Sequence, residues 1–189
     1  MKDLQFKFGQ YTINENERPL LCGILNVTPD SFSDGGRFFQ KEDAIKRGLE
    51  LINQGAKMLD IGGESTRPGS CYVEVNAEIE RVVPVIEAIK EKTAIPISID
   101  TWKAEVAREA IKAGADIVND ITGFLGDPHM AGVVGNTDAG AVLMFNPVIA
   151  RPDHESARVF PKFGAEGVYT PEEEKENLTM PILDLMFDY

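Results

Sequence analysis

Short apolar runs alternate with longer amphipathic stretches along most of this chain, and nearly every run ends in a carboxylate or an amide. Leu20–Leu25 leads into Asn26, and Met58–Ile61 contains Asp60 and leads towards Glu64. Ile95–Ile99 leads into Asp100, Ile117–Ile121 contains Asn119 and Asp120, and Ala141–Phe145 leads into Asn146. Near-continuous apolar runs suit parallel strands buried on both faces. Between them, Glu42–Asn53, Val75–Lys92 and Lys103–Lys112 carry helical spacing, with a weaker pattern over His129–Val134. A further helix is expected after Pro171, where Glu172, Glu173 and Glu174 would meet the positive end of the helix dipole. Glycines mark the joints: Gln54-Gly55-Ala56, Ala113-Gly114-Ala115 and Ala139-Gly140-Ala141 each place one just before a strand, as an αβ-loop cap. Phe6–Ile13 alternates around Gly9 and predicts a small hairpin ahead of the first run.

A repeated βα unit is compatible with a doubly wound open sheet or with a (β/α)8 barrel. The polar strand ends separate the two. An open sheet concentrates its chemistry at one switch point, whereas a barrel builds its site from the loops after all its strands. Here polar residues close five successive runs, and no GxGxxG or GxxxxGK[ST] pattern follows the first one. The expected fold is therefore α/β, a (β/α)8 TIM barrel, of which this chain supplies about five βα units. A closed barrel of this kind takes about 250 residues. The 189 residues present predict one domain over 1–189 that is truncated at its C-terminal side.

Composition narrows the partners. With 43% hydrophobic and 26% charged residues, the chain can bury a sizeable core. A net charge of −12 argues against a general nucleic-acid or anionic-membrane binder, since phosphate backbones attract Lys/Arg-rich surfaces. It leaves room for a small anionic substrate held by a local cluster of donors. Cys22 and Cys71 form no CxxC or Cys/His cluster, and Cys22, inside an apolar run, is expected in the core. Without a disulfide framework, a signal-like N-terminus or a bilayer-length apolar run, a soluble cytoplasmic protein is expected.

Two loops carry the chemistry. Asn26-Val27-Thr28-Pro29-Asp30-Ser31-Phe32-Ser33-Asp34-Gly35-Gly36 follows the first run, and the connection spans roughly fifteen residues before Glu42, against ~2–6 for an ordinary βα loop. Gly62-Gly63-Glu64-Ser65-Thr66-Arg67-Pro68-Gly69 follows the second. Its paired glycines let backbone approach a ligand closely. Two hydroxyls and a guanidinium in succession are donors suited to an oxyanion or a pyrophosphate.

Together these strings closely resemble the dihydropteroate synthase family. Ser98-Ile99-Asp100-Thr101, Ile117-Val118-Asn119-Asp120-Ile121-Thr122-Gly123 and Gly126-Asp127-Pro128 extend the resemblance over most of residues 20–146. It implies a (β/α)8 barrel that joins 6-hydroxymethyl-7,8-dihydropterin pyrophosphate to p-aminobenzoate in folate biosynthesis, releasing 7,8-dihydropteroate and pyrophosphate. By position, Asn26 matches the residue that helps hold Mg2+ with the pyrophosphate. Asp100 and Asn119 match pterin-ring contacts, and Asp60 lies deep at the second strand end. Thr66 and Arg67 match a substrate loop. Phe32 and Pro68 match positions near the p-aminobenzoate pocket, where sulfonamides also bind. Arg67 and Asn26 are thus the expected catalytic pair, with Mg2+ as cofactor and a homodimer as the full-length state. The residue chemistry agrees with this assignment. A pterin edge offers paired N–H donors that a buried carboxylate such as Asp100 can accept together, and an amide such as Asn119 both donates and accepts. Asp100 could instead cap the following helix, as could Thr101, and Asn26 could bond its own turn.

Some positions depart from the family pattern. Met144-Phe145-Asn146 stands where many members have a Met-His pair, and the later Asp, Lys and Arg-x-His positions have no counterpart. His129 and His154 are expected to be surface or loop residues. The alternative function is a non-catalytic, partner-dependent pterin-binding fragment of the same family; a methyltetrahydrofolate methyltransferase would not need Ser65-Thr66-Arg67-Pro68.

Overall fold

The computed structural model describes residues 5–14, 19–28, 37–65 and 72–144. The expected hairpin is present: β1 (Gln5–Phe8) pairs antiparallel with β2 (Tyr11–Asn14), with Phe8 opposite Tyr11. Gly9 takes the left-handed turn position at φ +48. Five parallel strands follow, β3 (Cys22–Asn26), β4 (Met58–Gly62), β5 (Ile97–Asp100), β6 (Ile117–Asp120) and β7 (Gly140–Leu143). Between them run α1 (Arg37–Asn53), α2 (Val75–Lys90), α3 (Ala104–Lys112) and the short α4 (Met130–Gly135).

The sheet order is β3-β4-β5-β6-β7, so each strand lies beside its predecessor. A doubly wound sheet reverses direction at a switch point, whereas a barrel keeps adding strands on one side. The winding is therefore that of a barrel.

Alternation along the strands divides the sheet into two faces. Leu25, Leu59, Ile61, Ile97, Ile99 and Val118 point to the helix layer. There they join Ala44 of α1, Val82, Val85, Ile86 and Ile89 of α2, and Val106, Ala107 and Ala110 of α3 in one core. Each fully buried Ile, Leu or Val contributes about 1.5–3 kcal/mol. The opposite face carries Cys22, Ile24 and Asn26 of β3, which are exposed. Cys22 is thus not a core residue: it belongs to the alternate set on an outermost strand, where no further strand covers it among the described residues. Burial on both faces holds for β5 and fails at β3 and β7. Leu21, Ile24, Val142 and Leu143 are all among the exposed large apolar side chains.

The joints follow the expected chemistry at two of three sites. Gly55 (φ +110) and Gly114 (φ +113) close α1 and α3 in the left-handed region. Gly140 does not cap a helix. It opens β7, where a Cβ would lie 2.7 Å from Cβ of Phe8 and 2.9 Å from the Phe6 ring. The hairpin thereby packs across the N-terminal ends of the strands, with Phe8 1% exposed. Gly9 N–H donates to Asp138 O at 2.7 Å, and the Tyr11 hydroxyl donates to Ala94 O. On the same side, Asp116 accepts from Lys90 Nζ at 2.6 Å and from Ile97 N–H at 2.9 Å.

Helix α1 begins at Arg37, earlier than the Glu42 expected from periodicity, because Arg37-Phe38-Phe39-Gln40 contains no breaker after the Gly35-Gly36 pair. The preceding connection, 27–36, is still long for a βα loop.

Candidate active site at the strand C-terminal ends

Strand register assembles the site. Asn26 pairs with Gly62, Gly62 with Asp100, and Asp100 with Asn119. Residues in register on parallel neighbours share a face, so these four form one transverse row on the side away from the helices. One layer below, Ile24 pairs with Asp60, and Asp60 with Ser98. Gly62 leaves the middle of the upper row open; a Cβ there would meet Asp100 Oδ2 at 3.5 Å.

Within this pocket Asn119 Nδ2 donates to Asp60 Oδ2 at 3.2 Å. Asp60 Oδ1 is buried and has no hydrogen-bond partner among the described residues. Burial pushes the Asp60 carboxyl above the usual carboxylate range, against the pull of Ser98 and Asn119. Asp100 is pushed up to about 7, first by burial and then by the charges of Asp60, Glu78 and Asp120. Two carboxyls with raised affinity for protons, set beside an amide and a hydroxyl, suit a ligand that presents several N–H donors.

Asp100 does not cap α3. Thr101 Oγ1 accepts from Lys103 N–H at 3.3 Å, and Asp127 Oδ2, from the loop after β6, accepts from Ala104 N–H at 2.9 Å. That removes the capping alternative and leaves the Asp100 carboxyl to the pocket. Asn26 is exposed at the end of β3. Phe32, Thr66, Arg67 and Pro68 lie outside the described residues, as do Asn146, His154 and the helix expected after Pro171. His129 is an exposed loop residue, its Nδ1 3.1 Å from Asp127 Oδ1.

Two further clusters support the site, one local in sequence and one not. Asp120 points to the helix side. It accepts from Thr122 N–H and Oγ1 at 2.7 Å each and from Phe124 N–H at 3.0 Å, holding Phe124 at φ 71. The second cluster is a buried ion triad, with Lys103 Nζ 2.6 Å from both Glu64 Oε2 and Glu78 Oε2. Glu64 is visible in the sequence as a strand-end carboxylate; its partner is visible only once β4 and β5 are paired. Among the described residues no group of three or more His, Cys, Asp or Glu side chains is arranged to hold a metal ion.

The family model described as pterin binding enzyme matches residues 22–175. The chain belongs to the pterin-binding enzyme family. Dihydropteroate synthase of Clostridium beijerinckii is 52% identical over 140 residues, covering 74% of this chain and 52% of that protein. The solved structure of Xanthomonas albilineans dihydropteroate synthase with 4-aminobenzoic acid superposes with TM-score 0.72 at 43% identity, covering 79% of this chain and 54% of that one. Burkholderia cenocepacia dihydropteroate synthase complexed with 7,8-dihydropteroate gives TM-score 0.65 at 39% identity, covering 76% and 46%. The family's fold is the TIM barrel, and the five parallel strands with alternating helices are its first βα units. The chain spans about half the length of the curated relatives it matches. Among the described residues no helix is long and apolar enough to cross a membrane.

Proposed function

We propose that this chain carries the pterin-recognising part of a dihydropteroate synthase, the enzyme that condenses 6-hydroxymethyl-7,8-dihydropterin pyrophosphate with p-aminobenzoate in folate biosynthesis. One observation carries the reading: the row Asn26–Gly62–Asp100–Asn119, with Asp60 beneath it, sits at the C-terminal ends of the strands, where barrel enzymes hold their substrates. Asp100 would accept the paired N–H donors of the pterin edge, and Asn119, already oriented by Asp60, would bridge donor and acceptor positions on the same ring. The relatives solved with 4-aminobenzoic acid and with 7,8-dihydropteroate support the choice of substrates.

Pyrophosphate departure leaves a methylene carbon on an electron-rich ring, so charge on the leaving group is the main demand. Thr66 and Arg67 are the donors proposed to grip it, Arg67 through its bidentate fork. The exposed Asn26 oxygen fits a Mg2+ ion that takes one protein ligand and completes its shell with phosphate oxygens and water. Mg2+ held there would neutralise developing negative charge. The aryl amine is neutral near pH 7, so the residues need supply no strong base. Phe32 and Pro68 are the proposed flank of its pocket.

The test is calorimetric titration of the purified protein with 6-hydroxymethyl-7,8-dihydropterin pyrophosphate in Mg2+ buffer, beside Asp100→Ala. Saturable binding by the wild type and none by the variant supports the reading; equal affinity in both refutes it. A second reading is pterin binding without turnover. Pyrophosphate release on adding p-aminobenzoate separates the two.

A further inference from the structure

An open cavity of about 520 Å3 lies between α3 and α4, in the helix layer, whereas the Asp100 row faces the other side of the sheet. Its size falls within the range of about 300–1,000 Å3 that small-molecule sites occupy. Ile111 of α3, Pro128 of the loop after β6 and Val133 of α4 give it apolar surface. Its charged side chains are Arg108 and Lys112, one turn apart on α3, and the ring of His129 lies beside them. Among the described residues no carboxylate lines it. In a chain with 31 acids against 19 Lys and Arg, a cavity bordered by cations alone is a marked departure from composition.

Each cation has an acid three residues earlier, Glu105 for Arg108 and Glu109 for Lys112, the second pair at 2.6 Å. In both pairs the cation borders the cavity and the acid does not. The side chains are 43% and 50% exposed in the first pair and 63% and 32% in the second. Exposed pairs of this kind hold their partners weakly, so an anion entering the cavity can take up both cations without leaving a buried acid unpaired. A guanidinium presents a fork to two oxygens and an ammonium adds a point charge beside it, which together suit a dianionic phosphate better than a single carboxylate. The neighbouring polar groups of α4 are already spent: Asn136 Nδ2 donates to Gly132 O at 2.6 Å, and Thr137 Oγ1 to Val134 O at 2.9 Å. Recognition of an anion therefore falls to the α3 cations. Room is not limiting, since a Cβ on Gly132 would meet nothing within 4 Å.

We propose that the α3–α4 cavity is a second binding site, for a small organic phosphate whose phosphoryl group is held by Arg108 and Lys112 and whose apolar body lies against Ile111, Pro128 and Val133. It is separate from the pterin pocket and does not depend on the dihydropteroate synthase reading. Phenyl phosphate is the probe, with inorganic phosphate and benzoate as controls that lack the apolar body or the second charge. Each is titrated into the 15N-labelled protein while the amide signals of Gly132 and Val133 are followed. Phenyl phosphate should shift both signals saturably, and each control should bind about tenfold more weakly or worse. Two variants test the cavity itself. Arg108→Gln with Lys112→Gln removes the charge, and Gly132→Leu puts a side chain into the open space without lowering thermal stability, because leucine replaces a helical glycine. Each should weaken phenyl phosphate by about tenfold or more. Absence of a saturable shift, or unchanged affinity in either folded variant, overturns the site. Equal binding of benzoate or of inorganic phosphate overturns the ligand class. Shifts centred on Asp100 and Asn119 overturn it too, since they would put the probe in the pterin pocket. If Gly132→Leu does not fold, the double substitution on exposed α3 positions decides by the same criterion.

Discussion

Replacing Asp100 by Asn should make the fold more stable and the pocket useless. The Asp100 carboxyl is pushed up to about 7 by burial and by Asp60, Glu78 and Asp120, whereas an unfolded Asp titrates near 3.9. A group whose folded pKa is raised contributes stability that is fully present below the unfolded value and is lost as pH rises through the folded one. Over that window of about three pH units the wild type loses about 1.4 kcal/mol per unit, an upper bound near 4 kcal/mol by pH 8. Asn is neutral throughout and nearly isosteric, so it escapes the loss. At pH 8 the variant should be more stable by about 2–4 kcal/mol, roughly 5–15 °C in Tm for a chain of this size. At pH 4 the two proteins should unfold together. Thermal and urea unfolding at pH 4, 6 and 8 measure this, with pterin titration on the same samples. A Tm difference that does not grow between pH 4 and pH 8 would refute the assignment of Asp100 as a destabilising buried acid. Intact pterin affinity in the variant would refute its role in recognition.

Other substitutions test the remaining parts of the design. Asn119→Ala removes the donor to Asp60 and should weaken pterin binding, read by titration, while also lowering stability in urea unfolding by about 1–3 kcal/mol, because Asp60 loses a partner. Gly140→Ala forces a Cβ to within 2.7 Å of Phe8 Cβ and should cost about 1–3 kcal/mol in urea unfolding by displacing the hairpin. Asp120→Ala leaves Thr122 and Phe124 without their acceptor and should destabilise by about 2–4 kcal/mol, with faster amide exchange at Phe124. Gly140→Ala should not shift the pH dependence assigned to Asp100, whereas Asp120→Ala, which removes one of the charges that raise the Asp100 carboxyl, should move it toward lower pH.

The strand ends were legible because a polar residue closing an apolar run has few structural excuses. Asp60, Asp100 and Asn119 stand where sequence alone puts them, and the spread of such residues over successive strands pointed to a barrel before any strand order was known. What local sequence cannot carry is pairing over distance. Lys103 looks like the first residue of an ordinary amphipathic helix; its partners Glu64 and Glu78 lie 39 and 25 positions away. Asp127 capping α3 from the loop after β6 was invisible for the same reason. Cys22 and Gly140 show a different limit. An apolar run does not reveal that its strand lies outermost, where alternate side chains stay uncovered. A Gly between two alanines does not reveal whether it serves backbone conformation, as at Gly114, or close approach, as under Phe8.

The described acids divide by what neutralises them, and that division separates support from chemistry. Asp116 has Lys90 at 2.6 Å, and Asp120 has two N–H groups and a hydroxyl. Glu64 has Lys103, an indole and a backbone N–H. Each of these partners belongs to a different stretch of chain or closes a turn, so each acid fastens something. Glu78 is intermediate, sharing Lys103 with Glu64 and leaving Oε1 buried without a partner among the described residues. Asp60 and Asp100 have no ion pair among those residues, although a buried carboxylate without a cation is one of the costlier things a fold can carry. A chain with only 19 Lys and Arg against 31 Asp and Glu cannot pair every acid, but fully exposed acids need no partner and these two are half-buried. They are held in a row fixed by strand register, with Gly62 leaving the space before them open. A ligand that brings its own N–H donors would supply what the protein withholds, and its binding would offset the cost of keeping these two acids unpaired.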